Sequence, residues 1–313
     1  MMGPDLETAQ HLVTALLNLA IAVLTGASVS RLWLARDASG WAALRRRPVR
    51  KAALAGAVVA LVAAIMWLWL ESAAMAEVPL TEAAGAVRSM LTSTHLGLAC
   101  CIGIAALTVA TAGALLRTER SAGPALLSLA GLAVFWYTRS MVSHAAGDGD
   151  VSVRLLADWI HLGLVSLWVG EVTVSGGVML RRSDNVTPPD RRARAAYVAS
   201  LSSSATFALV GIFVTGLYAA WRSLGGFGDL VGNPYGNALV VKLLLVGVAA
   251  LLGGVNRFVV MPPWLARESA GDAAPAPAPI RFRRILWIET LVLLAAIVVA
   301  AWLTSTPPPG EQM

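Results

Sequence analysis

Histidine occurs four times in this 313-residue chain, at His11, His95, His144 and His161, each in or beside a different apolar stretch. Imidazole is the commonest metal ligand and a proton carrier near neutral pH. Polar groups held inside a membrane are costly and are functional candidates by default. The stretch around His161 is the richest, with Arg154, Asp158, His161 and Trp168 at helical spacing and therefore on one helix face. A carboxylate one turn from a histidine fixes the ring's tautomer and raises its basicity. Asp158, backed by Arg154 and Trp168, is thus expected to support His161 as a metal ligand or proton site. The plainer alternative is an Arg154–Asp158 ion pair with His161 as a bystander.

Met141 and His144 lie three residues apart. Thioether and imidazole together suit copper, since soft sulfur favours Cu(I) and imidazole also suits Cu(II). His95 is followed by Cys100 and Cys101, either further soft ligands along a path or two small apolar fillers. His11 lies at a membrane boundary, where an interfacial histidine is unremarkable, and it ranks with the cysteines below the others. Arg139 requires an anionic partner, Glu71 or Asp158. Toward the opposite end, Glu171, Arg257 and Glu289 are the costly groups. Arg257 and Glu289 fall at matching depth and read as a structural ion pair.

The elements that must position these groups are membrane helices. Hydrophobic residues make up 57% of the chain and charged residues 13%, about half the charge of a soluble domain. Eight apolar stretches, at about 10–35, 52–75, 89–116, 123–145, 153–180, 198–221, 236–260 and 282–304, are each long enough to span a hydrocarbon core. Backbone groups in lipid must be satisfied within the segment, which selects helices. The alternating strands of a membrane β-barrel are not seen. The expected fold is an all-α membrane protein with eight transmembrane helices.

Every Lys and Arg except Arg88, Arg139, Arg154, Arg222 and Lys242 falls on one side of that arrangement. The basic side is the cytoplasm by the positive-inside rule, so both termini are expected in the periplasm. All four histidines then lie in the periplasmic half. The net charge of +6 is accounted for by topology, and nucleic acid is not an expected partner. The first stretch is not expected to be a cleaved signal peptide, because its flank is acidic and its apolar run is too long. No Walker-type phosphate loop is present, so nothing points to ATP-driven pumping or to an enzyme. Two regions are expected, 1–122 with three helices and 123–313 with five. The loop 261–281, which contains the Pro/Ala run 273–279, reads as a stiff extended cytoplasmic linker. The stretch 225–229 reads as a flexible loop and Pro307–Pro308–Pro309 as the stop after the last helix.

Several motifs in order resemble the CopD family, the copper-resistance protein D family of bacterial inner-membrane proteins. They are Ser143–His144–Ala145, His161 followed by Trp168–Val169–Gly170, Thr215–Gly216, and Pro234–Tyr235–Gly236 leading to Lys242. They continue with Asn256–Arg257–Phe258, Pro262, Arg284 and Glu289, with prolines after the last helix. The resemblance covers about 140–309, while over 1–120 only the hydropathy profile and outer N-terminus agree. Two positions depart from the family pattern: Glu171 replaces a second glycine, and Ser202–Ser203–Ser204 replaces Arg-Phe-Ser.

The resemblance implies an inner-membrane protein of copper import or tolerance, working beside a periplasmic copper carrier of the CopC type. It points to His144 and His161 as functional residues. With the residue chemistry it suggests a copper site built from His144, His161, His95 and Met141, with His11, Cys100 and Cys101 as weaker candidates. Two other readings of the same histidines are a b-type haem held between facing helices and a copper-binding sensor or assembly partner without flux.

Overall fold

The computed structural model describes residues 4–118, 120–181, 187–224, 230–270 and 277–303. The described residues contain no strand and form ten α-helices. In order these are α1 Pro4–Ala35, α2 Gly40–Met75, α3 Ala84–Ser93, α4 His95–Leu115, α5 Gly123–Ser140, α6 Val153–Val174, α7 Pro188–Ser223, α8 Pro234–Val255, α9 Met261–Ala270 and α10 Pro277–Leu303. A 3₁₀ turn at His144–Asp148 precedes α6. Single π-turns at Ser175–Met179 and Asn256–Val260 extend α6 and α8.

Seven of these helices, α1, α2, α4, α6, α7, α8 and α10, are long and apolar enough to cross a membrane. The 18-residue α5 does not join them. It carries Ser128, Tyr137, Thr138, Arg139 and Ser140, and it packs against α4, α1 and α6. Outward faces are apolar, with Phe207 at 68% exposure and Leu251 at 73%. Apolar surface of this kind suits lipid rather than water.

Polar caps set many of the helix starts. The side chains of Ser39, Thr94, Ser152, Thr187 and Asn233 accept from backbone N–H groups in the first turns of α2, α4, α6, α7 and α8, satisfying donors that have no partner within the helix. Several expected boundaries move for this reason. The expected third span, 89–116, is divided at Thr94, whose extended backbone ends α3 and caps α4. The expected fourth span ends at Ser140, so Met141 is its C-cap and His144 opens a separate turn capped by Ser143. Met141 and His144 therefore do not share a helix face. Helices α2 and α7 begin about three turns earlier than expected. The 261–281 linker is also corrected, because 261–270 is α9 and α10 begins at Pro277. Positions 271–276 of that linker, the 225–229 loop and the 307–309 prolines lie outside the described residues.

The central element is α1, which packs against α2, α5, α6 and α10. Its crossing with α6 is backbone on backbone. A Cβ placed on Gly26 would stand 2.1 Å from the carbonyl carbon of Gly170, and one on Gly170 would stand 1.9 Å from the Ala22 oxygen. Helices in lipid associate through such small-residue contacts because apolar side chains gain little by leaving lipid for one another. This crossing holds α6, the helix of His161, Trp168 and Glu171, against the middle of the bundle.

Candidate functional site

His161 lies eight residues into α6, about 12 Å along the helix at 1.5 Å per residue. Its Nδ1 is 2.8 Å from Thr215 Oγ1 on α7. That hydroxyl donates to the Gly211 carbonyl at 2.7 Å, as a threonine one turn along its own helix can. A hydroxyl has one proton to give, so toward the ring it accepts. Neutral His161 is therefore protonated on Nδ1, and Nε2 keeps its lone pair with no hydrogen-bond partner among the described residues. Gly216 lies beside the ring, where a Cβ would be in ordinary van der Waals contact with His161 Cε1 at 3.4 Å. Thr215 thus positions the imidazole by one hydrogen bond. Asp158, the expected orienting carboxylate, instead accepts from Ser143 Oγ at 3.1 Å.

Charges of alternating sign cross the bundle at the arginine-poor end. On α2, Glu71 accepts from Gln10 of α1 at 3.0 Å. The Arg139 guanidinium lies 4.7 Å over the Trp67 ring and interacts electrostatically with Cys100, Glu71 and Asp158. Asp158 in turn interacts with Lys242 of α8, and Lys242 with His161. Among the described residues Arg139 makes no hydrogen bond or ion pair with either carboxylate, and Glu71 and Asp158 act on it only at longer range. Spacing along the chain does not connect Lys242 or Thr215 to His161, since both lie on other helices. Their place in the family pattern was the only signal.

The other candidates spread along the same end. His95 Nε2 is 2.7 Å from Asp150 Oδ2, and both side chains are about half exposed, 51% and 42%. Tyr137 supports this contact by donating its hydroxyl proton to the Asp150 carbonyl at 2.6 Å. His144 is exposed, while Met141 and His11 are half-buried. Cys100 lines a small pocket with Trp67, Phe135, Thr138 and Arg139, whereas the neighbouring Cys101 is exposed on the outside of α4. Among the described residues, no three His, Cys, Asp or Glu side chains come together as a closed metal cage. Arg154 packs near Gly147.

Deeper along α6, Trp168 donates its indole N–H to Glu289 Oε1 of α10 at 3.1 Å. Trp168 therefore serves Glu289, not the His161 ring. Gly253 on α8 lies against that carboxylate. The expected Arg257–Glu289 ion pair is corrected. Arg257 reaches α7 and donates to the Ser202 carbonyl at 3.0 Å and its hydroxyl at 2.6 Å. Arg257 lies in the π-turn that extends α8. Glu171 is fully buried and accepts from Ser204 Oγ at 2.7 Å, while its Oε2 has no partner among the described residues. Glu171, a departure from the family pattern, is thus in contact with Ser204, the one serine of 202–204 that the pattern shares.

Two family models match the chain. "Copper resistance protein D-like, N-terminal domain" matches residues 5–153. "Copper resistance protein D" matches residues 195–303. The chain belongs to the copper resistance protein D family. The first half, where only hydropathy agreed, is matched by its own family model. His161, Trp168 and Glu171 fall between the two matched segments, whereas Thr215, Lys242, Arg257 and Glu289 lie within the second.

Among curated proteins, the chain is 27% identical over 274 residues to Copper resistance protein D of Pseudomonas syringae pv. tomato, covering 84% of this chain and 86% of that one. It is also 27% identical over 173 residues to Copper transport protein CutJ of Bacillus subtilis (strain 168). That match covers 55% of this chain, which spans only 29% of CutJ. No solved structure matches the chain.

Proposed function

We propose that this chain moves copper through the bacterial inner membrane, from periplasm toward cytoplasm, and so serves copper tolerance. It acts as a transporter and not as an enzyme. The observation that carries the proposal is the His161 ring, held through Nδ1 by Thr215 with Nε2 left bare inside the bundle. A neutral imidazole fixed in this tautomer is a ready ligand for a copper ion. The family relatives named for copper resistance and copper transport favour the same cargo.

His95, His144, His161 and Met141 are the proposed stations, with His11 at the mouth and Cys100 beside Arg139. Asp158, bonded to Ser143 beside His144, and Arg154, packed near Gly147, support the His144 station. Their separation suits passage better than storage, because a conducting path needs several sites that bind and release. A periplasmic carrier of the CopC type is the proposed source of copper.

In this reading α5 is the eighth span, shielded from lipid on the sides where α1, α4 and α6 pack. Both termini are periplasmic, and the arginine-rich ends face the cytoplasm. Residues 1–122 and 123–313 are the two membrane regions. The test is copper accumulation in cells producing the wild type, His161→Ala or His144→Ala at equal membrane levels. The expected result is loss of copper accumulation in both variants. Accumulation equal to wild type in both would remove the site.

A further inference from the structure

At the arginine-rich end, away from the histidines, a pocket is lined by Arg31 of α1, Arg46 and Arg50 of α2, Arg117, Thr118 and Ser121 of the α4–α5 connection, and the apolar Leu34 and Leu116. Four guanidinium groups repel when brought together, and here Arg31 and Arg50 act on each other as like charges. Among the described residues no carboxylate is paired with any of the four. Arg31 donates to the Gly113 and Leu116 carbonyls at 3.1 Å each. Arg46 donates to the Leu34 and Asp37 carbonyls at 3.2 and 2.5 Å. Arg46 is 8% exposed, and its Nε has no partner among the described residues.

Basic residues that only set topology can lie anywhere in their loops. Others in this chain do have structural partners: Arg194 is paired with Glu268 at 2.7 Å, and Arg283 donates to the Gly176 carbonyl. The pocket arginines instead converge from three parts of the chain. Two are held in place by backbone carbonyls, and two, Arg50 and Arg117, have no hydrogen bond or ion pair among the described residues. Planar guanidinium groups with neighbouring hydroxyls match the tetrahedral oxygens of a phosphate group. Basic pockets between membrane helices on the cytoplasmic side are suited to acidic lipid headgroups.

We infer that this pocket binds a phosphate-bearing anion, carried either on an inner-leaflet lipid headgroup or as free phosphate. Bound there, it offsets part of the repulsion among the four charges and ties α1, α2 and the α4–α5 connection together.

The test is thermal unfolding of the purified full chain in neutral detergent. Phosphatidylglycerol, phosphatidylcholine and inorganic phosphate are titrated separately into wild type and an Arg50→Gln/Arg117→Gln variant. These two arginines make no hydrogen bond or ion pair among the described residues, so the unliganded variant should unfold at the wild-type temperature or slightly above it. Wild type is expected to gain stability with phosphatidylglycerol and not with phosphatidylcholine, and the variant to bind it about thirtyfold more weakly. Stabilisation by phosphatidylglycerol alone assigns the headgroup, and an equal effect of inorganic phosphate assigns the free anion. No stabilisation of wild type by either, or an equal shift in the variant, overturns the site. Native mass spectrometry of the lipid retained by both proteins separates the same outcomes if the variant proves too unstable to melt cleanly. Copper plays no part in either measurement.

Discussion

Trp168 and Glu289 join α6 to α10 by a single buried hydrogen bond, indole N–H to carboxylate at 3.1 Å. Both side chains are almost fully enclosed, at 3% and 2% exposure. Neither group has water to replace the lost partner. Removing either alone should destabilise the protein by about 1–3 kcal/mol, the cost of a buried polar group left unmade. The Trp168→Phe/Glu289→Leu double variant should lose less than the sum of the two single variants, because neither polar group remains. A double-mutant cycle on unfolding in detergent measures this, and strict additivity would contradict the coupling.

Thr215 orients His161 by accepting a hydrogen bond from its Nδ1–H. Thr215→Val keeps the shape and removes the acceptor, and copper accumulation should fall about 10–100-fold, as for other groups that orient a metal ligand. Thr215→Ser should restore most of it. If Val and Ser variants behave alike, the hydroxyl does not act through the ring.

The α1–α6 crossing predicts strong intolerance at Gly26 and Gly170, where a methyl group would meet backbone rather than a movable side chain. Gly170→Ala should lower stability by about 3 kcal/mol, the upper range for overpacking, and reduce the protein recovered from membranes. Gly247→Ala is the control, since nothing lies within 4 Å of a Cβ there. In a helix that change should be neutral or stabilising by about 0.5–1 kcal/mol. Equal melting temperatures for the two variants would contradict the close approach.

The His95–Asp150 contact is short but half exposed. Such pairs add little stability, at most about 1 kcal/mol. Asp150→Asn should leave the melting temperature nearly unchanged while lowering copper accumulation at limiting external copper. A large thermal loss with unchanged accumulation would mark the pair as structural and not as part of the metal path.

Glu171, a departure from the family pattern, is fully buried and accepts from the half-buried Ser204. Glu171→Gly, which brings back the family residue, removes a buried carboxyl group whose second oxygen has no partner among the described residues. Losing that desolvated group offsets part of the helix cost of glycine, about 1 kcal/mol. Stability should therefore change by less than about 1 kcal/mol, whereas Ser204→Ala alone should cost about 1–3 kcal/mol by stranding the carboxyl group. Chemical denaturation of both variants distinguishes these outcomes.

Composition and charge placement were enough to make the class legible. A chain so poor in charge has no surface for water, and its long apolar runs have no other stable form in lipid than helices. The richness of α6 was legible too, because three- and seven-residue spacings place side chains on one face of any helix. Partners across helices were not. Asp158 and Trp168 share a face with His161, yet Ser143 and Glu289 take their hydrogen bonds. The imidazole is served by Thr215, more than fifty residues away in sequence. Arg257 and Glu289 read as matched in depth, yet Arg257 bonds to Ser202 of α7 and Glu289 to Trp168 of α6. Helix periodicity fixes which residues share a face and roughly how deep they lie. Which face meets which neighbour depends on how the helices rotate and cross, and here that is set by packing contacts such as Gly26 on Gly170, which bring together positions far apart in the chain.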